Sequence, residues 1–171
     1  MSKARVLVVY FSRTGTTRRV ASTLATMLNA DLEEIVEPRD RSGAMGYLRS
    51  LVDAVRKRPV DISRAEHDVS SYELVVIGTP VWAGSVSAPT RAWLATNLAH
   101  LHRVAFFCTL RGRGSESAFA QMGSLAGRQP VARCAITAHE TRLGEESRLL
   151  EVFSHRLERK LAQLEEMEWL V

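Results

Sequence analysis

Cysteine is scarce in this sequence, and what little there is excludes two structural classes. Cys108 and Cys134 both lie in apolar runs, so they predict neither a disulfide framework nor a cysteine-ligated metal site. Long hydrophobic runs are also missing, because no apolar stretch approaches the roughly 20 residues that span a bilayer. The short apolar run that follows residues 1–5 lacks a small-residue cleavage site and is interpreted as a first strand. Together these absences predict a cytoplasmic protein without a membrane span.

A strong charge of either sign is absent as well. The 171 residues contain 23 Lys and Arg against 19 Asp and Glu, a net charge of +4. This balance would suit an anionic partner, but no basic face or interleaving of basic and aromatic residues indicates nucleic acid. The five histidines show no metal-ligand spacing. Length and a hydrophobic content of 46% suit one domain covering residues 1–171.

Three common phosphate-binding signatures are missing. The chain has no Gly-x4-Gly-Lys-Ser/Thr run, and "GRGSES" at 112–117 supplies only the first two glycines of a dinucleotide fingerprint. A phosphatase-like Cys-x5-Arg loop starting at Cys108 would need arginine where the chain has Gly114. Any phosphate site must therefore be built differently.

The sequence does contain five strand-like segments that alternate with helical patterns. The predicted strands are 4–10, 31–37, 73–78, 103–108 and 131–137. Apolar residues at helical spacing predict helices around 20–28, 48–55, 119–125 and 149–167, and Pro89 is expected to open a further helix between the second and third of these. Trp93 and Phe119 are expected in the core, and Trp169 is expected to pack the last turn. Such alternation predicts an α/β fold with a parallel sheet covered by helices on both faces. Its ligand is expected in the loops at the carboxyl ends of the strands.

The loop after the first strand is rich in hydroxyl groups. It consists of Ser12, Arg13, Thr14, Gly15, Thr16 and Thr17. The N-terminus of a helix offers N–H groups without intrahelical partners and the positive end of the helix dipole. Ordinary N-capping by Thr14 or Thr16 would explain one or two hydroxyls, whereas four in six positions favour a cradle for a phosphate.

The stretch "YFSRTGTT" resembles the phosphate loop of the flavodoxin-like family, and two later segments agree with it in order and position. "GTPVWAGSVSAPTRAWL" at 78–94 resembles the second flavin loop, and "CTLRGRGSESAF" at 108–119 resembles the glycine-rich third loop. The resemblance implies a flavodoxin-like doubly wound three-layer sandwich. Its five-stranded parallel sheet would have the order 2-1-3-4-5, and its cofactor would be FMN.

The resemblance also implies which residues bind FMN. The phosphate would be held by Ser12, Arg13, Thr14, Gly15, Thr16 and Thr17. One side of the flavin ring would face Thr79, Pro80, Val81, Trp82, Ala83 and Gly84, and the other would face Thr109, Leu110, Arg111, Gly112, Arg113 and Gly114. Trp82 offers an aromatic surface to the ring, and Gly112 and Gly114 would let backbone N–H groups reach its pyrimidine edge. No general acid, base or nucleophile is implied, because the chemistry belongs to the cofactor.

Two features depart from the electron-carrying members of the family, which are usually strongly acidic and commonly have an acidic residue and a second stacking aromatic after the third loop. This chain is basic and has Ser115 to Ala118 there, which would leave one flavin face open for hydride transfer.

Three functions stay open. The first is an oxidoreductase between NAD(P)H and a quinone-like or other small acceptor. The second is an electron carrier that docks with a reductase and an acceptor protein, and the third is an apo binding scaffold.

Overall fold

The computed structural model describes residues 5–37 and 62–170, and every structural statement below concerns these ranges. The helix predicted around 48–55 lies outside them.

Six strands and five helices follow one another along the described chain. The strands are β1 (Val6–Tyr10), β2 (Asp31–Glu34), β3 (Leu74–Trp82), β4 (Ser85–Val86), β5 (Arg103–Leu110) and β6 (Arg133–Thr137). The helices are α1 (Thr16–Leu28), α2 (Ala88–Asn97), α3 (Ser115–Ala126), α4 (Ala138–Arg142) and α5 (Glu146–Trp169). Two short 3-10 turns span Val69–Ser71 and Leu98–His100.

The sheet has the order β2-β1-β3-β5-β6, and the small strand β4 pairs antiparallel with β3. The five long strands are mutually parallel. Counted over these strands, the predicted order 2-1-3-4-5 is confirmed. The predicted α/β class is confirmed with it.

Helices cover both faces of the sheet, which explains why the central strands are apolar at most positions. Leu7 and Val9 of β1 face the side where α2 and α3 pack, and Val8 faces the side where α1 and α5 pack. Each fully buried aliphatic or aromatic side chain contributes roughly 1.5–3 kcal/mol to folding. Trp93 and Phe119 belong to the first of these cores, as the sequence predicts.

Three expectations about the elements need correction. Strands β3 and β5 continue past 78 and 108, because Thr79 and Pro80 pair with Cys108 and Thr109. Helix α4 was not expected; it begins at a capping box in which Thr137 and Glu140 satisfy each other's backbone N–H groups. Trp169 does not pack the last turn, since 77% of its surface is exposed.

Candidate functional site

The three loops predicted to bind a cofactor meet at one edge of the sheet. They follow β1, β3 and β5, which are neighbours in the sheet, and the carboxyl ends of parallel strands lie at the same edge. Three loops that are far apart in the sequence therefore lie together at this edge of the sheet.

The first loop leaves the start of α1 without a side-chain cap. Gly15 is the N-cap residue with φ +98°, and no side chain accepts a hydrogen bond from the first turn. The Gly15 N–H donates to Ser12 Oγ at 3.1 Å, which folds the loop back on itself and leaves the Ser12 hydroxyl hydrogen available. Thr14 and Thr16 are exposed beside it. Backbone N–H groups without intrahelical partners at the positive end of a 13-residue helix are able to bind an anion.

Thr17 differs from its hydroxyl-bearing neighbours, because its side chain is buried rather than open to solvent. Only 2% of Thr17 is exposed, and its Oγ1 lies 2.8 Å from Thr109 Oγ1 at the end of β5. One of the two hydroxyls donates to the other. This contact ties the first turn of α1 to the third loop, so Thr109 lies beside the first loop.

The second predicted loop is largely strand and hairpin. Thr79, Pro80 and Val81 are buried in β3, and the Thr79 hydroxyl accepts from the Ser87 N–H at 3.1 Å within a buried polar network. The chain then turns at Ala83 and Gly84, both with positive φ, as a two-residue hairpin requires. Of the six residues predicted here, Trp82, Ala83 and Gly84 present surface to a ligand.

The hairpin presents Trp82 to the first loop. The Trp82 ring meets Phe11 edge to face, with centroids 6.4 Å apart. The guanidinium carbon of Arg13 lies 5.7 Å from the Trp82 ring centroid, within the range of a cation–π contact. The structure thus brings an aromatic plate and an arginine together next to the uncapped helix N-terminus.

The third loop packs tightly against this hairpin. Gly114 has φ +107° and forms the N-cap of α3, and a Cβ placed there would lie 2.7 Å from the Gly84 Cα. Gly112 has open space around it. Thr109 and Leu110 are buried at the end of β5, whereas Arg111 and Arg113 are exposed.

Gln121, on α3, is a residue of the site that the sequence analysis missed. Its Nε2 donates to the Gly84 carbonyl at 3.1 Å, and its Oε1 accepts from the Val86 N–H at 3.2 Å. The side chain therefore clamps the hairpin onto α3. The available signal was a polar residue inside the apolar run from Ala118 to Met122.

Ala118 does not stand on the cofactor side of α3. It is fully buried in the core between the sheet, α2 and α3. The expectation that it replaces an outer stacking aromatic therefore does not hold for its side chain. Glu116 forms an ion pair with Arg133 at 2.9 Å.

The two cysteines, on β5 and β6, both have raised thiol pKa values. Burial raises the pKa of the Cys108 thiol to about 12, and burial likewise raises that of Cys134 to about 12. Both thiols are protonated at neutral pH and poorly nucleophilic. Among the described residues, no group of three or more His, Cys, Asp or Glu side chains could hold a metal ion.

Comparison with known proteins agrees with this arrangement. The sequence profile of the flavodoxin family matches residues 5–114, which include all three loops. The chain belongs to the flavodoxin family. FMN, the cofactor expected from the sequence, is the cofactor of this family.

Solved structures of flavodoxin-like proteins share the fold. A flavoprotein from Lactobacillus acidophilus in complex with FMN has 21% sequence identity and a TM-score of 0.69, over 84% of this chain and 99% of that one. The flavodoxin of Streptococcus pneumoniae has 18% identity and a TM-score of 0.56, over 92% of this chain and 99% of that one. A WrbA-like protein from Agrobacterium tumefaciens has 13% identity and a TM-score of 0.56, with the same coverage of both chains. No curated protein matched the sequence.

None of the helices in residues 5–37 and 62–170 combines the length and hydropathy of a membrane span.

Proposed function

We propose that this flavodoxin-family chain is an FMN-dependent oxidoreductase that moves electrons between NAD(P)H and a quinone-like or other small acceptor. FMN supplies the hydride and electron chemistry when bound. The observation that carries the proposal is the charge of the loops. Residues 12–17, 79–87 and 109–115 include Arg13, Arg111 and Arg113 and no carboxylate.

The first loop fits the phosphate group of FMN. The uncapped N–H groups of α1 and the exposed hydroxyls of Thr14 and Thr16 provide neutral donors at a helix N-terminus. Ser12 accepts from Gly15, so its own O–H remains free to donate to a phosphate oxygen. Charge-assisted hydrogen bonds of this kind are about twice as strong as neutral ones.

The other two loops fit the flavin ring. Trp82 is half-buried at the hairpin, where it offers a ring face and a fixed orientation. The backbone contact between Gly84 and Gly114 sets the spacing of the two loops. Because Gln121 also fixes the hairpin, this part of the site is preorganised before a cofactor enters.

The positive charge supports an anionic small-molecule donor such as NAD(P)H. Arg111 and Arg113 are both exposed beside the loop cluster, where they raise the local concentration of an anionic substrate and its association rate. They also stabilise negative charge on a reduced ring. Both effects favour two-electron exchange with a nucleotide.

A non-enzymatic electron carrier is the second candidate. Its supporting observation is that two open grooves among the described residues, of about 790 Å³ beside α2 and about 1000 Å³ beside β6, lie outside the three loops. A carrier needs no pocket for a nicotinamide, since it exchanges electrons with a docked protein at the flavin edge.

Anaerobic reduction separates these functions. Protein loaded with FMN is mixed with NADH or NADPH, without any partner protein, and the flavin absorbance is followed before and after a soluble quinone is added. If the protein is the oxidoreductase, at least one of the two nucleotides reduces the bound flavin and its absorbance falls. The quinone then reoxidises the flavin and the absorbance returns. A flavin that neither nucleotide reduces, but that a flavodoxin reductase does reduce, would establish the carrier instead. Failure to bind added FMN would leave only the apo scaffold.

A further inference from the structure

The C-terminal end of α5 exposes apolar side chains next to carboxylates. Met167, Trp169 and Leu170 are exposed by 62%, 77% and 86%, the highest values among the large hydrophobic residues that the structure describes. We call residues 165–170 the tail; its other members are Glu165, Glu166 and Glu168. Exposed apolar side chains grouped in this way mark an interaction surface.

The charge of the tail is unfavourable in the isolated chain. Three carboxylates lie at the C-terminal end of a 24-residue helix that has no basic residue in its last turn, where the helix dipole favours cations. Glu168 is compensated by Arg103 at 2.6 Å. Glu165 and Glu166 form no ion pair with the described residues, so a basic partner surface would stabilise them.

A groove of matching character lies on the same chain. It has a volume of about 1000 Å³ and lies beside the edge strand β6, with Arg128, Arg133 and Arg156 in its lining. Glu116 offsets Arg133 at 2.9 Å, and the Arg133 guanidinium lies 5.5 Å from the Phe119 ring centroid. The groove is therefore positively charged and includes apolar surface, which complements the tail. We call it the arginine groove.

Within one chain, Glu168 holds the tail beside Arg103, and the tail does not reach Arg156 of the arginine groove. Arg156 and Met167 belong to one continuous helix, and 11 residues of α-helix separate them by about 17 Å along its axis. A second copy with its α5 antiparallel brings each tail to the other copy's groove. Both contacts are then equivalent, as in a closed two-fold dimer.

We propose that the tail of one copy docks in the arginine groove of a second copy, so that the chain forms a two-fold dimer through α5. Charge complementarity selects this occupant, since the tail is acidic and the groove basic. An anionic membrane surface would repel the glutamates of the tail. This proposal does not depend on the flavin site and is tested on the protein without cofactor.

Sedimentation velocity over a range of protein concentrations tests the dimer, using the full chain without a C-terminal tag. The expected result is a concentration-dependent dimer. Arg156→Glu and Glu166→Arg should each raise its dissociation constant roughly tenfold, because every reversal acts at two equivalent contacts. Arg64→Glu and Glu66→Arg are matched controls with the same charge changes at exposed residues outside the tail and outside the lining of the groove, and they should leave association unchanged.

Mixing the two variants gives the decisive measurement. An equimolar mixture of Arg156→Glu and Glu166→Arg chains pairs every reversed charge with an opposite one, so association should return towards that of the unmodified chain. Unchanged thermal unfolding of each variant would show that both fold. The proposal is overturned if the unmodified chain stays monomeric, if neither reversal weakens association, or if the mixture associates no better than the separate variants.

Discussion

Replacement of Gly114 by alanine tests whether the second and third loops are held at a fixed spacing. Gly114 has φ +107°, a conformation that costs an L-residue roughly 1–2 kcal/mol. Its added Cβ would also lie 2.7 Å from the Gly84 Cα, which is backbone and cannot swing away as a side chain could. One of the two loops must therefore shift.

Two other glycines separate the backbone strain from this clash. Gly15 has nearly the same φ, +98°, but its Cβ would meet nothing within 4 Å, so Gly15→Ala carries the strain alone. Gly112 has open space and no positive φ, so Gly112→Ala carries neither penalty. The three variants make the same chemical change within the loops of one site.

The free energies of unfolding should follow that order. Gly112→Ala should change the stability by less than about 0.5 kcal/mol, as most exposed substitutions do. Gly15→Ala should lose about 1 kcal/mol, because the strain is partly offset by the lower entropy of the unfolded chain. Gly114→Ala should lose about 2–4 kcal/mol, since forcing extra atoms into a packed contact adds roughly 1–3 kcal/mol.

Urea denaturation of the protein without cofactor, followed by circular dichroism, measures these differences. FMN titration then shows whether the displaced loop also weakens cofactor binding. We expect Gly114→Ala to lose more affinity for FMN than Gly112→Ala does. A Gly114→Ala protein that is no less stable than Gly15→Ala would refute the close contact between the two loops.

The remaining predictions concern the cofactor and the thiols. Alanine at both Thr14 and Thr16, whose side chains are exposed beside the N-terminus of α1, should weaken FMN binding by roughly 1.5–3 kcal/mol for each phosphate bond lost. Unchanged affinity in a fluorescence titration would rule out this phosphate site. FMN should bind more tightly than riboflavin, and the adenylate half of FAD should add nothing; equal dissociation constants for riboflavin and FMN would show that the cradle is inert. Arg111→Glu and Arg113→Glu should each lower the two-electron reduction potential of bound FMN, by about 30 mV for each 1.4 kcal/mol of lost stabilisation of the reduced flavin. Dithionite titration of the unmodified protein should show little one-electron-reduced flavin, and a large population of this species would favour the carrier. In the native protein Cys108 should resist alkylation at pH 8, because burial raises the pKa of its thiol to about 12. Rapid labelling of Cys108 itself without denaturant would contradict its burial.

The limits of the strands show where local pattern stops being informative. The apolar run of β3 ends near Gly78, yet the strand continues to Trp82. Its last residues are held by pairing with β5 and by the hairpin to β4. Pairing between distant segments overrides local composition, so the predicted loop was in large part a strand.

Whether a residue near the end of α5 is buried or exposed also depends on tertiary structure. Trp169 follows an apolar helical pattern that predicts packing, but α5 extends beyond the surface that buries Leu157 and Leu161, and the indole is left exposed. Periodicity identifies the face of a helix. It does not tell how far along the helix a neighbour extends.

The sequence by itself determined the fold class and the position of the three loops, because periods of two and 3.6 residues and the order of elements are local properties of the chain. The strand order was predicted only through the resemblance of the loops to the flavodoxin-like family. Tertiary structure alone decided what individual side chains do within those loops. Thr17 and Thr79 look like their hydroxyl-bearing neighbours in sequence, yet one pairs with Thr109 and the other joins the network with Ser87. Gln121 reaches the site from α3. These roles depend on contacts between segments distant in sequence, and the packing of the whole domain sets those contacts.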